Sequence, residues 1–233
     1  GTWKKSLMVE VLHSLLQITM IAHVSSTVIS ERNMKNIVKE LSERDKKFAQ
    51  VIDTHPLCTI GRNSNPVTHF EALVESVISQ QLAVKAADTI FLRVKKLAGG
   101  RIQPARIAAL DESQMREAGV SGAKYRAIQG LASAAVEKRI NINKLHEIES
   151  DEEIFTQLTG LWGIGPWTVD MFMMFQLGRL DIWPTGDLGV RRGYEKIYKL
   201  KEEITPAELD KKGGKFSPYR SVVAWYCWRA LEK

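Results

Sequence analysis

The chain has 233 residues, with 33 Lys and Arg against 27 Asp and Glu and a formal net charge of +6. That length can bury roughly 70–75% of the unfolded surface, in one large or two small domains, and the mild basic excess suits a polyanionic partner without establishing one. Two cysteines, Cys58 and Cys227, exclude a four-thiolate zinc or iron–sulfur site and a secreted disulfide framework, and His13, His23, His55, His69 and His146 show no metal-ligand spacing.

In chain order, residues 1–33 differ from the rest. Leu7–Val24 is apolar, but Glu10, His13 and Gln17 interrupt it, so neither a signal peptide nor a membrane span is predicted. These residues form either an added helix or sequence outside the folded unit. Asn36–Ile52 reads as one polar helix with its apolar stripe at Ile37, Leu41, Phe48 and Val51-Ile52, and Asn63–Pro66 as a linker. Phe70, Leu73-Val74 and Val77-Ile78 line one helical face; Val84, Ala87, Phe91 and Val94 line another, with the polar bend Ser79-Gln80-Gln81 between them. Capping boxes open helices at Asp111, Ser150 and Thr205, Gly119 ends a short helix, and Gly122–Lys138 forms another. Ser217-Pro218 is expected to start the last helix, whose inward side is Tyr219, Val222-Val223, Tyr226-Cys227 and Ala230-Leu231. The reading is an all-α protein of about ten helices.

Leu161-Trp162-Gly163-Ile164-Gly165-Pro166-Trp167-Thr168 stands out. Two glycines two residues apart let the chain reverse in conformations closed to other residues, and Pro166 fits the first turn of a following helix. N–H groups around Gly163, Ile164, Gly165 and Thr168 would then point outward at the positive helix end, where a phosphate can dock. A tight turn between packed helices is the plainer alternative. The following helix (Val169, Met171–Phe175, Leu177) is apolar nearly all round and should be buried. Beyond it, Pro184-Thr185-Gly186-Asp187 holds a carboxylate in a Gly/Pro loop; its plainer role is to cap the helix from Leu188, a role compatible with catalysis.

The hairpin and Pro184-X-Gly186-Asp187 resemble the helix-hairpin-helix (HhH-GPD) DNA glycosylase superfamily over about Val67–Arg229. Within it, Ile78-Ser79-Gln80-Gln81-Leu82 with Lys85-Ala86-Ala87, the hairpin with Trp167, and Phe216–Ser221 are similar to the 3-methyladenine DNA glycosylase II branch. The resemblance implies a two-lobed helical fold with an active-site cleft between the lobes: residues 34–66 plus 188–233 as the terminal lobe, 67–187 as the central bundle. It implies that Asp187 is catalytic, stabilising positive charge on the sugar and positioning water. Bifunctional members carry a lysine where this chain has Trp167; Trp cannot form a Schiff base, so a monofunctional enzyme leaving an abasic site is implied.

Alkylated purines carry positive charge, and an electron-rich pocket can prefer them by roughly 0.5–2 kcal/mol per ring. Trp167, Phe216 and Tyr219 are the candidates, with Trp162 and Trp183 behind them; core packing is the alternative for each. The family usually has Trp at the place of Phe216. Gln81 matches the side chain that fills the hole left by a flipped base, and Gly122 with Lys124 would add a second phosphate contact. The implied partner is double-stranded DNA with a damaged base, no membrane is expected as a partner, and the protein is expected to act as a monomer. No cofactor, metal or iron–sulfur cluster is expected, although a monovalent cation at the hairpin is left open. The compartment would be cytoplasm or nucleoid in a bacterium or archaeon and nucleus in a eukaryote, without secretion. Two rivals stand: a glycosylase for uracil, mismatched thymine or hypoxanthine, and a non-catalytic DNA-binding module.

Overall fold

The structure, a computed structural model, describes residues 28–62 and 67–232. The apolar stretch Leu7–Val24 and the linker Asn63–Pro66 lie outside the described residues. Among those described there are twelve α-helices and no strand, in agreement with the all-α reading. They are α1 Glu31–Arg44, α2 Lys46–Thr54, α3 His69–Ser79, α4 Val84–Leu97, α5 Pro104–Ala108, α6 Glu112–Glu117, α7 Gly122–Val136, α8 Asp151–Thr159, α9 Pro166–Met171, α10 Leu188–Tyr198, α11 Pro206–Gly213 and α12 Arg220–Arg229. A 3₁₀ segment at Ile142–Glu147 precedes α8, another at Gly214–Phe216 follows α11, and α9 runs on into a π turn at Phe172–Gln176.

The chain divides into two compact units, residues 67–172 and residues 28–62 with 173–232. In the first, α3 packs on α4, α7, α9 and the 3₁₀ segment 142–147. Its face of Phe70, Leu73, Val74, Val77 and Ile78 is fully buried, and each such side chain is worth ~1.5–3 kcal/mol of transfer out of water. Ala127, Ile128, Leu131, Ala132 and Ala134 form the inward side of α7. On α4 only Ala87 and Val94 are buried; Val84 and Phe91 sit at its margin.

In the second unit, α12 is buried along nearly its whole length from Ser221 to Trp228. It lies against α10, where a Cβ on Gly193 would sit 1.9 Å from the Cys227 carbonyl oxygen. The two backbones approach that closely only because position 193 has no side chain. The segment entering α10 is tied to the same helix. Ser221 Oγ donates to Arg179 O at 2.7 Å and accepts from Ile182 N–H at 2.8 Å, while Ser221 N–H donates to Leu180 O at 2.8 Å. Residues 173–187 fall with the terminal unit, whereas the sequence expectation kept them in the central bundle.

Three local expectations are corrected. Asn36–Ile52 is two helices, because Asp45 adopts an extended φ of −146° and its carboxylate accepts from Lys47 and Phe48 N–H. The stripe from Leu41 to Phe48 hides this break, since the spacing suits one helix or two. The first helix also begins earlier, at Glu31, capped by Ser30. The last helix begins at Arg220, after a cis Ser217–Pro218 bond, with Tyr219 at its entry. The capping boxes at Asp111 and Thr205 are reciprocal, but at Ser150 only the serine bond forms; the Glu153 carboxylate accepts from Gln157 instead.

Candidate active site and nucleic-acid interface

The hairpin lies wholly in the first unit. Gly163 has φ +80°, and a Cβ there would stand 2.6 Å from Ala127 Cβ on α7. Ile164 N–H donates to Leu161 O at 3.1 Å and closes the turn. Gly165 is the N-cap of α9, offers no side-chain oxygen to the first turn, and has open space where a Cβ would be. With Pro166 at the next position, the entry to α9 is the helix N-terminus expected from the sequence. It faces an open depression lined by residues 159–168 together with Gln80 and Gln81.

Several predicted residues gather here. Gln80 Nε2 donates to Thr168 Oγ1 at 3.2 Å and to Gly163 O at 3.4 Å, tying the Ser-Gln-Gln bend to the hairpin. Gln81 is exposed, with φ +56°. Trp162 is 48% exposed at the tip, and the Arg126 guanidinium lies 4.2 Å over its ring. Trp167 is half-buried. Ile164 is only 3% exposed and its N–H is taken by Leu161 O, so it anchors the turn rather than facing a ligand.

The second phosphate contact is revised. The Lys124 ammonium donates to Ile78 O at 2.6 Å and Gln80 O at 2.7 Å, so it is engaged with the end of α3. Burial pulls it below the usual lysine range. Gly122 opens α7, where Ser121 Oγ already accepts from Lys124 N–H at 3.3 Å.

Asp187 lies in the second unit and is 1% exposed. It caps α10, Oδ1 accepting from Val190 N–H at 2.8 Å. The same oxygen accepts from the Trp228 indole N–H at 2.9 Å. A Cβ on Gly189 would lie 2.8 Å from the Trp228 ring and 3.1 Å from that oxygen, so glycine leaves the room the indole needs. Phe175, from the π turn, stacks on Trp228 with ring centroids 5.8 Å apart. Burial, and then the Asp187 charge, push the neighbouring Cys227 thiol well up.

Trp228 and Phe175 were missed by the sequence reading. No local spacing ties Trp228 to Asp187; the one available signal was the glycine pair 189 and 193, a close-packing face on α10. Phe216 is corrected from pocket wall to core. It is fully buried, its ring 5.7 Å from Phe48 and 6.3 Å from Trp183. Trp183 is likewise packed, its indole donating to Leu209 O at 3.0 Å. Tyr219 is half-buried, with the Arg44 guanidinium 5.7 Å over its ring.

The chain is similar to known proteins along most of its length. A family model described as HhH-GPD superfamily base excision DNA repair protein matches residues 74–218. The DNA-3-methyladenine glycosylase 1 of Schizosaccharomyces pombe is 36% identical over 162 residues, 69% of this chain and 71% of the relative. A crystal structure of a DNA-3-methyladenine glycosidase from Bacillus halodurans superposes with a TM-score of 0.76 at 33% identity, covering 83% of this chain and 88% of that one. An S. pombe 3-methyladenine DNA glycosylase solved in complex with abasic DNA gives 0.69 at 29% identity, over 86% and 99% of the two chains. With a Gly163–Gly165 hairpin opening onto a helix and a capping aspartate beyond it, the chain belongs to the HhH-GPD superfamily of base excision DNA repair proteins.

Proposed function

We propose that this protein is a monofunctional DNA glycosylase that hydrolyses the N-glycosidic bond of alkylated purines of the 3-methyladenine and 7-methylguanine type in duplex DNA, leaving an abasic site. The observation that carries the reading is the Asp187 carboxylate, fixed through Oδ1 by the Val190 amide and the Trp228 indole. The names of the relatives support the substrate class, and the relative solved with abasic DNA was captured with what such a reaction leaves behind.

As the bond between C1′ and the base nitrogen lengthens, its electron pair moves to the base and positive charge grows on the sugar. A carboxylate already held in place stabilises that charge without reorganising, and its dry surroundings strengthen the attraction. Water then adds its oxygen to C1′ and gives up a proton. An alkylated purine that starts with positive charge leaves as a neutral molecule, so the reaction needs no strong general acid.

Trp167, at the position where lyases carry a lysine, offers a ring and no amine. It is an aromatic candidate for the cationic base, and Tyr219 of the second unit is a separate one. The amides around Gly163, Gly165 and Thr168 hold a phosphate, and Gln81 fills the space vacated by the flipped nucleotide. Trp162, one face under Arg126, belongs to the DNA-facing rim. Phe216, Ile164 and Lys124 drop out as side chains touching substrate, while Gly122 can offer a phosphate only its backbone.

The test is incubation with methylated, uracil-containing and hypoxanthine-containing duplexes, followed by identification of the freed base. Methylpurine should be released, and Asp187→Asn should lower the single-turnover rate at least ~100-fold while still binding duplex. Wild-type-like release by Asp187→Asn would remove the catalytic role. Release of uracil alone would change the substrate, and binding without any release would favour a non-catalytic module.

A further inference from the structure

The bend after α3 is a type II turn occupied by the wrong residue. Gln80 has φ −52° and ψ 125°, Gln81 has φ +56°, and Leu82 N–H donates to Ser79 O at 3.2 Å. The third position of such a turn favours glycine, because its φ is positive and a Cβ there crowds the preceding carbonyl. Types I and II differ by a flip of the central peptide, here the one joining Gln80 to Gln81. In a type I turn Gln81 would fall at negative φ and its side chain would leave in another direction.

The Lys124 ammonium bonds the carbonyl oxygen of that very peptide, Gln80 O at 2.7 Å, and also Ile78 O at 2.6 Å in the last turn of α3. Its first bond opposes the peptide flip. Its second places a cation at the negative end of α3, where it is favoured. Lys124 itself is fixed by α7, whose Ala127 meets Gly163 of the hairpin from the other side. Gln80 completes the frame through Thr168 and Gly163.

We infer that Lys124 is a positioning residue that holds the Gln80–Gln81 peptide in its type II orientation and so presets Gln81 to enter the gap left by a missing or flipped base. The inference rests on the glycosylase reading for its purpose, but its test needs no catalysis. The readout is affinity for a duplex holding a tetrahydrofuran abasic analogue, divided by affinity for the same duplex undamaged, by fluorescence anisotropy. Lys124→Met should lower this preference roughly tenfold, since filling the gap offsets part of the few kcal/mol that unstacking costs. Gln81→Ala should lower it by a similar factor, and the double variant should lose no more than either alone, as expected of residues acting through one another. Lys124→Arg, which keeps donors for both carbonyls, should restore most of the preference and serves if the methionine variant folds poorly.

Affinity for undamaged duplex and its salt dependence should stay as in wild type. A salt slope reduced by about one would make Lys124 a phosphate ligand instead. Independent losses in the double variant, an arginine variant as defective as the methionine one, or a wild-type protein with no abasic preference would each overturn the inference. Failure of the free-base assay with the abasic preference intact would overturn only the glycosylase reading.

Discussion

At the scale of single residues, the carboxylate of Asp187 is positioned from two directions. One donor, Val190 N–H, is local and comes with its place as the cap of α10. The other, the Trp228 indole, comes from the far end of α12. Hydrogen bonds to a charged group are worth ~1.5–3 kcal/mol. Trp228→Phe keeps a ring against Phe175 and in the space left by Gly189 but removes the donor. It should cost roughly 10–100-fold in single-turnover excision rate, with duplex affinity nearly unchanged. An unaltered rate would mean that the cap alone orients the carboxylate. Replacing Trp228 by Ala would mix this effect with a cavity.

At the scale of elements, the hairpin depends on a close approach between Gly163 and α7. A side chain at Gly163 faces both the cost of positive φ, ~1–2 kcal/mol, and a contact of 2.6 Å with Ala127 Cβ. Gly163→Ala should therefore displace the hairpin and weaken duplex binding at least ~10-fold, while helix content by circular dichroism holds. Adding Ala127→Gly removes the contact but not the φ penalty, so it should recover part of the affinity. Full recovery would make the contact the whole cause, and no recovery would make it the backbone. Elements also show where periodicity misleads. The break at Asp45 is the decision of a single residue, a capping carboxylate, superimposed on a hydrophobic pattern that does not register it. In α12 the inward side read from the sequence is only part of the buried surface, because Ser221–Trp228 is buried throughout.

At the scale of the whole molecule, stability should depend on pH through the buried His69 and its half-buried neighbour His146. His69 Nε2 lies 3.0 Å from His146 Nδ1, and its ring stands edge-on to Phe172. Burial, and then the neighbouring His146, bring the His69 pKa down to about 4 from 6.5. The folded state thus resists a proton that the unfolded chain accepts. Stability from this group is complete above pH 6.5 and is lost as pH falls towards 4, by at most ~1.4 kcal/mol per pH unit. His69→Leu should flatten that part of a plot of unfolding free energy against pH. An unchanged slope would assign the acid sensitivity to other groups.

What the sequence determined by itself was local. Helix caps, the Gly-X-Gly reversal, the proline at the start of α9 and the aspartate that caps α10 are each set within a few residues, where backbone sterics and unpaired N–H groups leave few choices. The absence of a lysine at Trp167 is equally plain from the chain alone. Only the tertiary structure decided that Trp228 reaches Asp187, that Lys124 serves the turn after α3, and that Phe216 is core. Each of these depends on which helices pack together and how closely. That outcome is set by glycines such as 189 and 193, through side chains they lack, and joins residues far apart in the chain.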